Sequence, residues 1–393
     1  MEGDRAERVK RHENTPMLKL TLLLVSSLTI MSIITISPAL PGMTNAFSHI
    51  PNADFLVKLI LTVPALLIAL SSSFVGLLID KYGRLKFLYV ALVLYAAAGT
   101  SGFWLDNIYL ILAGRALLGL AVGITMTIVI TLIADYFEGP ARQKFLGIQV
   151  AFMSLGGIVF VGVGGVLADV GWRYTFLIYF LSLLILPLAL TYLNEPDRKL
   201  HEVVKNDRKK SPSIIWLLFV NTMIMWILFF MIPAQLPFQM KSIGVERNAL
   251  IGLAIAMSTA FSVISSFNYS RIKDRISFKF VFAIGYFLMA ISFGLVSVAD
   301  SYWLMVVAMA LSGLGLGMMI PNTNNWVMQI APPEIRGREI GRLTTFWFLG
   351  QFLSPIIVQP LAQNWSLSSL FLVASLILLL LSVFFGVYRF KKN

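Results

Sequence analysis

The chain repeats itself, and this constrains its fold more than any other feature. Asp80, Gly119, Gly123, Arg142, Gly147 and Gly156 recur as Asp274, Gly313, Gly317, Arg336, Gly341 and Gly350, all at one offset of 194 residues and without a gap. Glycine supplies only 28 of 393 residues, so four glycine pairs at a single offset point to duplication rather than coincidence. Each half also carries about six long apolar runs. Two sets of six membrane helices in tandem is the build of a secondary transporter, whose substrate site lies near mid-membrane between the halves.

The apolar runs are about 20 residues long, enough to span a bilayer as helices. The predicted spans are 19–41, 55–79, 86–104, 107–133, 147–168, 173–193, 214–236, 248–270, 280–299, 302–325, 341–362 and 366–388. The expected organisation is a tail (1–18), a first six-helix bundle (19–193), a polar linker (194–213), a second bundle (214–388) and a short end (389–393). The first run is read as a retained span, since no small-residue cleavage site follows it. With 58% hydrophobic and 13% charged residues, the chain does not read as a soluble domain.

A net charge of +12 raises nucleic acid as a partner, but the distribution argues against it. Of the 31 Lys and Arg, 26 fall in alternate loops and both ends. Only Lys58, Arg173, Lys241 and Arg247 fall on the opposite side, and Arg115 lies within a span. This bias places both termini in the cytoplasm of a cell (plasma) membrane protein. The chain has no cysteine, which excludes disulfides and thiolate metal sites. His12, His49 and His201 all lie outside the spans, so no metal site is expected in the core. No nucleophile–base pair assembles there either, so the chain does not read as an enzyme. No cofactor is expected. Nothing resembles a phosphate-binding loop ending in Gly-Lys-Ser/Thr, so a proton gradient rather than ATP is the expected energy source. Gly313-Leu-Gly315-Leu-Gly317 lies inside an apolar span and reads as packing, and the sequon at Asn364 carries no weight.

At the inner end of span 2 stands Gly76-Leu77-Leu78-Ile79-Asp80-Lys81-Tyr82-Gly83-Arg84-Leu85-Lys86. This segment resembles the signature loop of the major facilitator superfamily, Gly-x-x-x-Asp-Arg/Lys-x-Gly-Arg-Lys/Arg. A decayed copy follows in the second half at Ser270, Asp274, Arg275, Ser277 and Lys279. The resemblance covers residues 15–390. It implies an all-α membrane protein of twelve transmembrane helices in two pseudo-symmetric bundles, working by alternating access. In that family the loop latches the cytoplasmic side in the outward-facing state. The latch residues here are Gly76, Asp80, Gly83, Arg84, Asp135, Glu138, Arg142, Asp274 and Arg336, with Asp135 and Glu138 as partners for Arg84.

Arg115 sits about nine residues into span 4, roughly 12 Å deep at 1.5 Å per residue. An Arg near the bilayer centre costs about 2.5–3.5 kcal/mol on insertion scales, so it faces protein or a water-filled cavity. Arg115-Ala-Leu-Leu-Gly119 resembles the motif of twelve-span drug/proton antiporters in which this Arg is linked to proton coupling. Ser37-Pro38-Ala39-Leu40-Pro41 resembles the Pro-x-x-Pro that ends their first span. Span 5 departs from their pattern. Gly147, Gly156, Gly164 and Gly165 keep its edges, but Phe160-Val161 replaces the central Gly-Pro, so this helix is expected to bend less.

No Asp, Glu, Lys or His is read deep in any span. A cationic cargo would lack a buried counter-charge, which favours a small neutral or anionic amphipathic compound as the substrate. Cavity candidates are Thr35, Arg115, Gln149, Asn221, Trp226, Gln235, Asn322, Asn325, Phe346 and Gln351. Proton-coupling candidates are Arg115, Asp135 and Asp169. The reading is proton-coupled efflux by a monomer in the lipid bilayer. The alternatives are a proton symporter or uniporter for a sugar or organic anion, and a lipid flippase-type transporter.

Overall fold

The computed structural model describes residues 15–196 and 210–388, with backbone alone at 72–74, 77–78 and 80–82. The tail, His12, His201, the middle of the linker, residues 389–393 and the side chain of Asp80 therefore lie outside the described residues. Twelve helices are long and apolar enough to cross a membrane. We label them α1 (Pro16–Ala46), α2 (Ala53–Tyr82), α3 (Leu85–Trp104), α4 (Ile108–Tyr136), α5 (Gly139–Val170) and α6 (Trp172–Tyr192), then α7 (Ser213–Ser242), α8 (Asn248–Lys273), α9 (Phe278–Val298), α10 (Tyr302–Ile330), α11 (Pro333–Asn364) and α12 (Leu367–Val387). Antiparallel succession puts the 83–84, 137–138 and 194–212 connections on one face with both described ends. We call this the near face and its opposite the far face.

Span limits read from hydropathy match within a few residues except for α5 and α11, which begin earlier than 147 and 341. Their first turns hold Arg142 and Lys144, and Arg336, Arg338, Glu339 and Arg342. Hydropathy discards such residues, yet a helix extends through charge readily where it leaves the membrane core. Proline breaks two helices at related places. α1 runs as a helix over Pro16–Ile34, turns as a 3₁₀ segment at Ser37–Ala39 and resumes at Leu40–Ala46. α7 is interrupted at Phe230, between Ser213–Phe229 and Met231–Ser242, just before Pro233. A proline lacks the amide that would continue the ladder. The two breaks touch, with the Ser37 hydroxyl donating to the carbonyl of Pro233 at 2.5 Å. α5, which has no internal proline after its first turn, is one uninterrupted helix of 32 residues.

Two of the repeated glycine pairs, Gly119 with Gly313 and Gly123 with Gly317, are matched contact points. A Cβ on Gly119 would stand 2.5 Å from the carbonyl oxygen of Pro64, and one on Gly313 2.1 Å from that of Ser258. Gly123 is held against Ser71 and Ile68, and Gly317 against Ser262. Ser258 and Ser262 are the repeat partners of Pro64 and Ile68. The same residue pairs therefore bring α4 against α2 and α10 against α8. Lipid is as apolar as leucine, so close backbone approach through small residues is a main source of helix association in a membrane.

Candidate functional site

The two halves meet at the far face. α5 and α8 cross on small residues. A Cβ on Gly165 would lie 2.6 Å from the carbonyl oxygen of Asn248, and one on Gly252 2.6 Å from that of Val161. Nearer mid-membrane, Gly157 lies beside Thr259. Further polar links join the halves here, beside the Ser37–Pro233 bond. Both carboxylate oxygens of Asp169 accept main-chain amides at the start of α8, from Asn248 at 2.5 Å and Ala249 at 3.1 Å. The Asn248 side chain donates to the carbonyl of Ala168 at 3.1 Å. Lys58 donates to Oε1 of Gln359 at 2.6 Å, joining α2 to α11. These contacts hold the halves together at the far face.

The second half carries buried polar atoms, spread along α7 and α11, that lack a hydrogen-bond partner, among them Nδ2 of Asn221, Nε1 of Trp226, Oε1 of Gln235 and Oε1 of Gln351. Trp226 stacks on Trp347 with centroids 4.4 Å apart, and Phe229 meets it edge-on at 5.5 Å. A narrow slot of about 10 Å³, lined by Thr222, Trp226, Thr323, Asn324 and Trp347, lies beside Trp226, between α7, α10 and α11. Each buried donor or acceptor left unmade costs about 1–3 kcal/mol, so each of these atoms gains from water or a ligand that can pair with it. No carboxylate lines the slot among the described residues.

The other cavity candidates are placed differently. Thr35 is buried, returns its hydroxyl to Met31, and presses its carbonyl on Gly164. Gln149 donates to the Ser26 hydroxyl at 2.8 Å and ties α5 to α1. Asn322 accepts from Tyr269 at 3.3 Å and donates to the Phe278 carbonyl at 2.9 Å, which makes it a strut inside the second half. Asn325 is exposed at the near end of α10. Phe346 stacks on Phe219 at 5.3 Å.

Arg115 is wholly buried inside the first half and does not reach the space between the halves. Its guanidinium donates to the carbonyl of Ile60 in α2 at 2.9 Å, to the carbonyl of Ser32 in α1 at 2.6 Å, and to the Tyr179 hydroxyl in α6 at 2.7 Å. One residue on α4 thus gathers three other helices. Its planar fork of donors suits three acceptors in different directions, which an ammonium does not match.

In the latch region, Arg84 pairs with Asp135, one of the two acids that the sequence offered it. Gly83 adopts φ 95°, a left-handed conformation that favours glycine, and a Cβ there would approach Glu195 at 3.3 Å. Glu195, read from the sequence as part of a solvated linker, caps α3. Its two oxygens accept the amides of Arg84 at 2.7 Å and Leu85 at 2.8 Å. Arg142, Asp274 and Arg336 are exposed, and Arg336 donates to the Ala331 carbonyl at 3.2 Å. Asp274 and Arg336 form no ion pair among the described residues. Glu195→Ala is expected to speed hydrogen exchange at residues 84 and 85 about tenfold, the equivalent of a cap contributing about 1 kcal/mol. Unchanged exchange would contradict that role.

Two buried charges escaped the sequence reading. Lys58, assigned there to the outer side, is only 3% exposed in the second turn of α2. Glu339, assigned to a loop, is fully buried in α11, where Oε1 takes Ser211, Arg338 and Arg342 while Oε2 has no hydrogen-bond partner. Both lie at helix ends, where hydropathy cannot separate a solvated charge from a buried one.

The sequence model described as Major Facilitator Superfamily matches residues 22–250 and 218–393. The chain is 25% identical to the bacillibactin exporter of Bacillus subtilis over 374 residues, covering 88% of this chain and 90% of that one. It is 24% identical to the quinolone resistance protein NorA of Staphylococcus aureus over 302 residues, covering 74% and 76%. Among solved structures, it resembles a bacterial homologue of the human lysosomal transporter Spinster in an inward-facing and occupied conformation (TM-score 0.78, 15% identity, 94% of this chain and 95% of that one). It also resembles a D-xylose-proton symporter (TM-score 0.75, 16% identity, 94% and 97%).

Proposed function

This chain belongs to the Major Facilitator Superfamily, and on that premise we propose that it exports a small neutral or anionic amphipathic compound, driven by protons returning across the cell membrane. The near face is cytoplasmic in this reading, because the loops there carry the basic residues. The observation that carries the substrate class is the aromatic slot at Trp226 and Trp347. It offers stacked indoles and the unpartnered indole N–H of Trp226 to an aromatic compound, and no acid lines it to hold a cation. The direction is supported by relatives whose names are those of an exporter and of drug-resistance proteins. Arg115 serves this mechanism as the hub of the first half. Asp135 acts within the latch, which leaves Asp169 as the coupling candidate placed between the halves.

The test uses inside-out vesicles and a panel of neutral, anionic and cationic aromatic compounds. Acidifying the lumen should drive uptake of neutral or anionic members, and a protonophore should abolish it. Trp226→Ala should raise KM roughly tenfold with a smaller change in kcat, since stacking loss on this scale is about 1–1.5 kcal/mol. Uptake that survives collapse of the gradient, or that favours cations, would contradict the reading.

A further inference from the structure

Lys58, Gln235 and Gln359 converge between the halves, just inside the far face. Lys58 comes from α2 in the first half, and Gln235 and Gln359 come from α7 and α11 in the second. Oε1 of Gln359 accepts from the Lys58 ammonium at 2.6 Å and from Nε2 of Gln235 at 3.3 Å. All three side chains are buried, and the Phe238 ring covers the ammonium at 4.5 Å. Phe238 also lines the far-face cleft, with Thr44, Asp54 and Glu246.

Closure of the far face does not call for a charge here, as the repeat shows. The offset of 194 residues carries Lys58 onto Gly252 and Gln359 onto Gly165. Those two glycines make the related crossing of α5 on α8, where a Cβ on Gly252 would stand 3.3 Å from the Cα of Gly165. One crossing is closed by small residues, a common means in a membrane, while its counterpart holds a lysine and a carboxamide. Burying an ammonium without an acid costs free energy, and charges kept inside membrane proteins mark substrate and ion pathways. Asp54 lies one turn before Lys58 but is exposed, and no described acid forms an ion pair with the ammonium.

The hydrogen-bond inventory gives the chemistry of what would fit. An ammonium has three donors, and Lys58 uses one of them on a described residue. The Gln359 amide group donates to no described residue, and Oε1 of Gln235 is buried with no partner. Spare donors on Lys58 and Gln359 match the two oxygens of a carboxylate, and the Gln235 oxygen accepts a hydroxyl or N–H beside it. We propose that Lys58, Gln235 and Gln359 form an anion subsite on the exit side of the transport path, which takes the carboxylate of an aromatic acid. A carboxylate oxygen replaces Oε1 of Gln359 on the ammonium, and Phe238 supplies an apolar wall for the ring. Gln235 lies farther along α7 than Trp226, toward the far face, so the subsite is a second station beyond the aromatic slot.

This inference rests on the export reading and narrows its cargo from neutral or anionic to anionic. Its test is binding without a gradient. The purified chain in nanodiscs of phosphatidylcholine, which has no net charge, is titrated with 2-naphthoate and with 2-naphthamide, two ligands of one shape that differ in charge. The wild type should bind the acid about tenfold more tightly than the amide, the scale of one hydrogen bond to a charged group. Lys58→Met should bring the acid to within about threefold of the amide and leave binding of the amide unchanged. Gln359→Glu sets a carboxylate on the ammonium, keeps the link between the halves, and should erase the preference as well. It carries the test should Lys58→Met fail to insert. Equal binding of the two ligands by the wild type, binding of neither, or a preference that survives either substitution would overturn the proposal. No proton moves in this assay, so loss of gradient-driven uptake in vesicles would contradict the export reading alone, and a missing preference would contradict the subsite alone.

Discussion

Arg115→Met is expected to destabilise the first half by about 3 kcal/mol, measured as resistance to denaturant in detergent micelles. The estimate comes from three hydrogen bonds to a charged group, each contributing about 1.5–3 kcal/mol, offset by release from the burial of an unpaired charge. Ser32, Ile60 and Tyr179 lie on three helices, so their loss loosens α1, α2 and α6 against α4 together. Arg115→Lys should recover less than half of the loss, because one ammonium cannot reach three acceptors spread around a planar fork. A methionine variant as stable as the wild type would show that the hub contributes nothing. A lysine variant with full stability would show that the charge alone matters.

The second large effect separates two kinds of glycine contact. Gly317→Ala places a Cβ 2.1 Å from the carbonyl oxygen of Ser262, and Gly165→Ala places one 2.6 Å from that of Asn248. Both contacts are with backbone, which cannot rotate away. The first joins two helices of the same half, so the clash persists in every state of the transporter. It should cost about 3 kcal/mol, near the upper end for overpacking. The second joins the halves, and separation of the far face removes it. Gly165→Ala should therefore lose less than about 1 kcal/mol of stability, populate the far-open state, and transport poorly. Thermal unfolding and far-face spin-label distances distinguish the two. Equal destabilisation by both substitutions would contradict the division of contacts into those within and those between halves.

Much of this was legible in the sequence, for identifiable reasons. The offset of 194 residues marked Gly119, Gly123, Gly313 and Gly317, which proved to be paired contacts, because duplication keeps a backbone approach that only glycine fits; it also marked Gly147 and Gly341, which touch nothing within 4 Å. The two helix breaks could be read because a proline's missing amide acts locally. Arg115 could be read as buried, but not its partners. Two of its three acceptors are main-chain carbonyls, which every residue carries. The candidate site was the least legible part. Asn221 and Asn322 are the same residue type in spans of similar hydropathy, yet one keeps a free amide nitrogen and the other is fully engaged by Tyr269 and Phe278. Lys58 and Glu339 were hidden because depth at a helix end depends on the neighbouring helix. Glu195 was hidden because its partners are the amides of a loop more than 100 residues away.

The central claim is that the sealed far face is one of two states through which the halves must alternate. The most direct test is to tether it. Thr44 and Glu246 line the same far-face cleft from opposite halves, and a cysteine-free chain allows a reducible cross-linker between cysteines placed there. With the tether closed, uptake into inside-out vesicles should fall to background, and reduction should restore it. Transport at the untethered rate with the far face held shut would contradict the account.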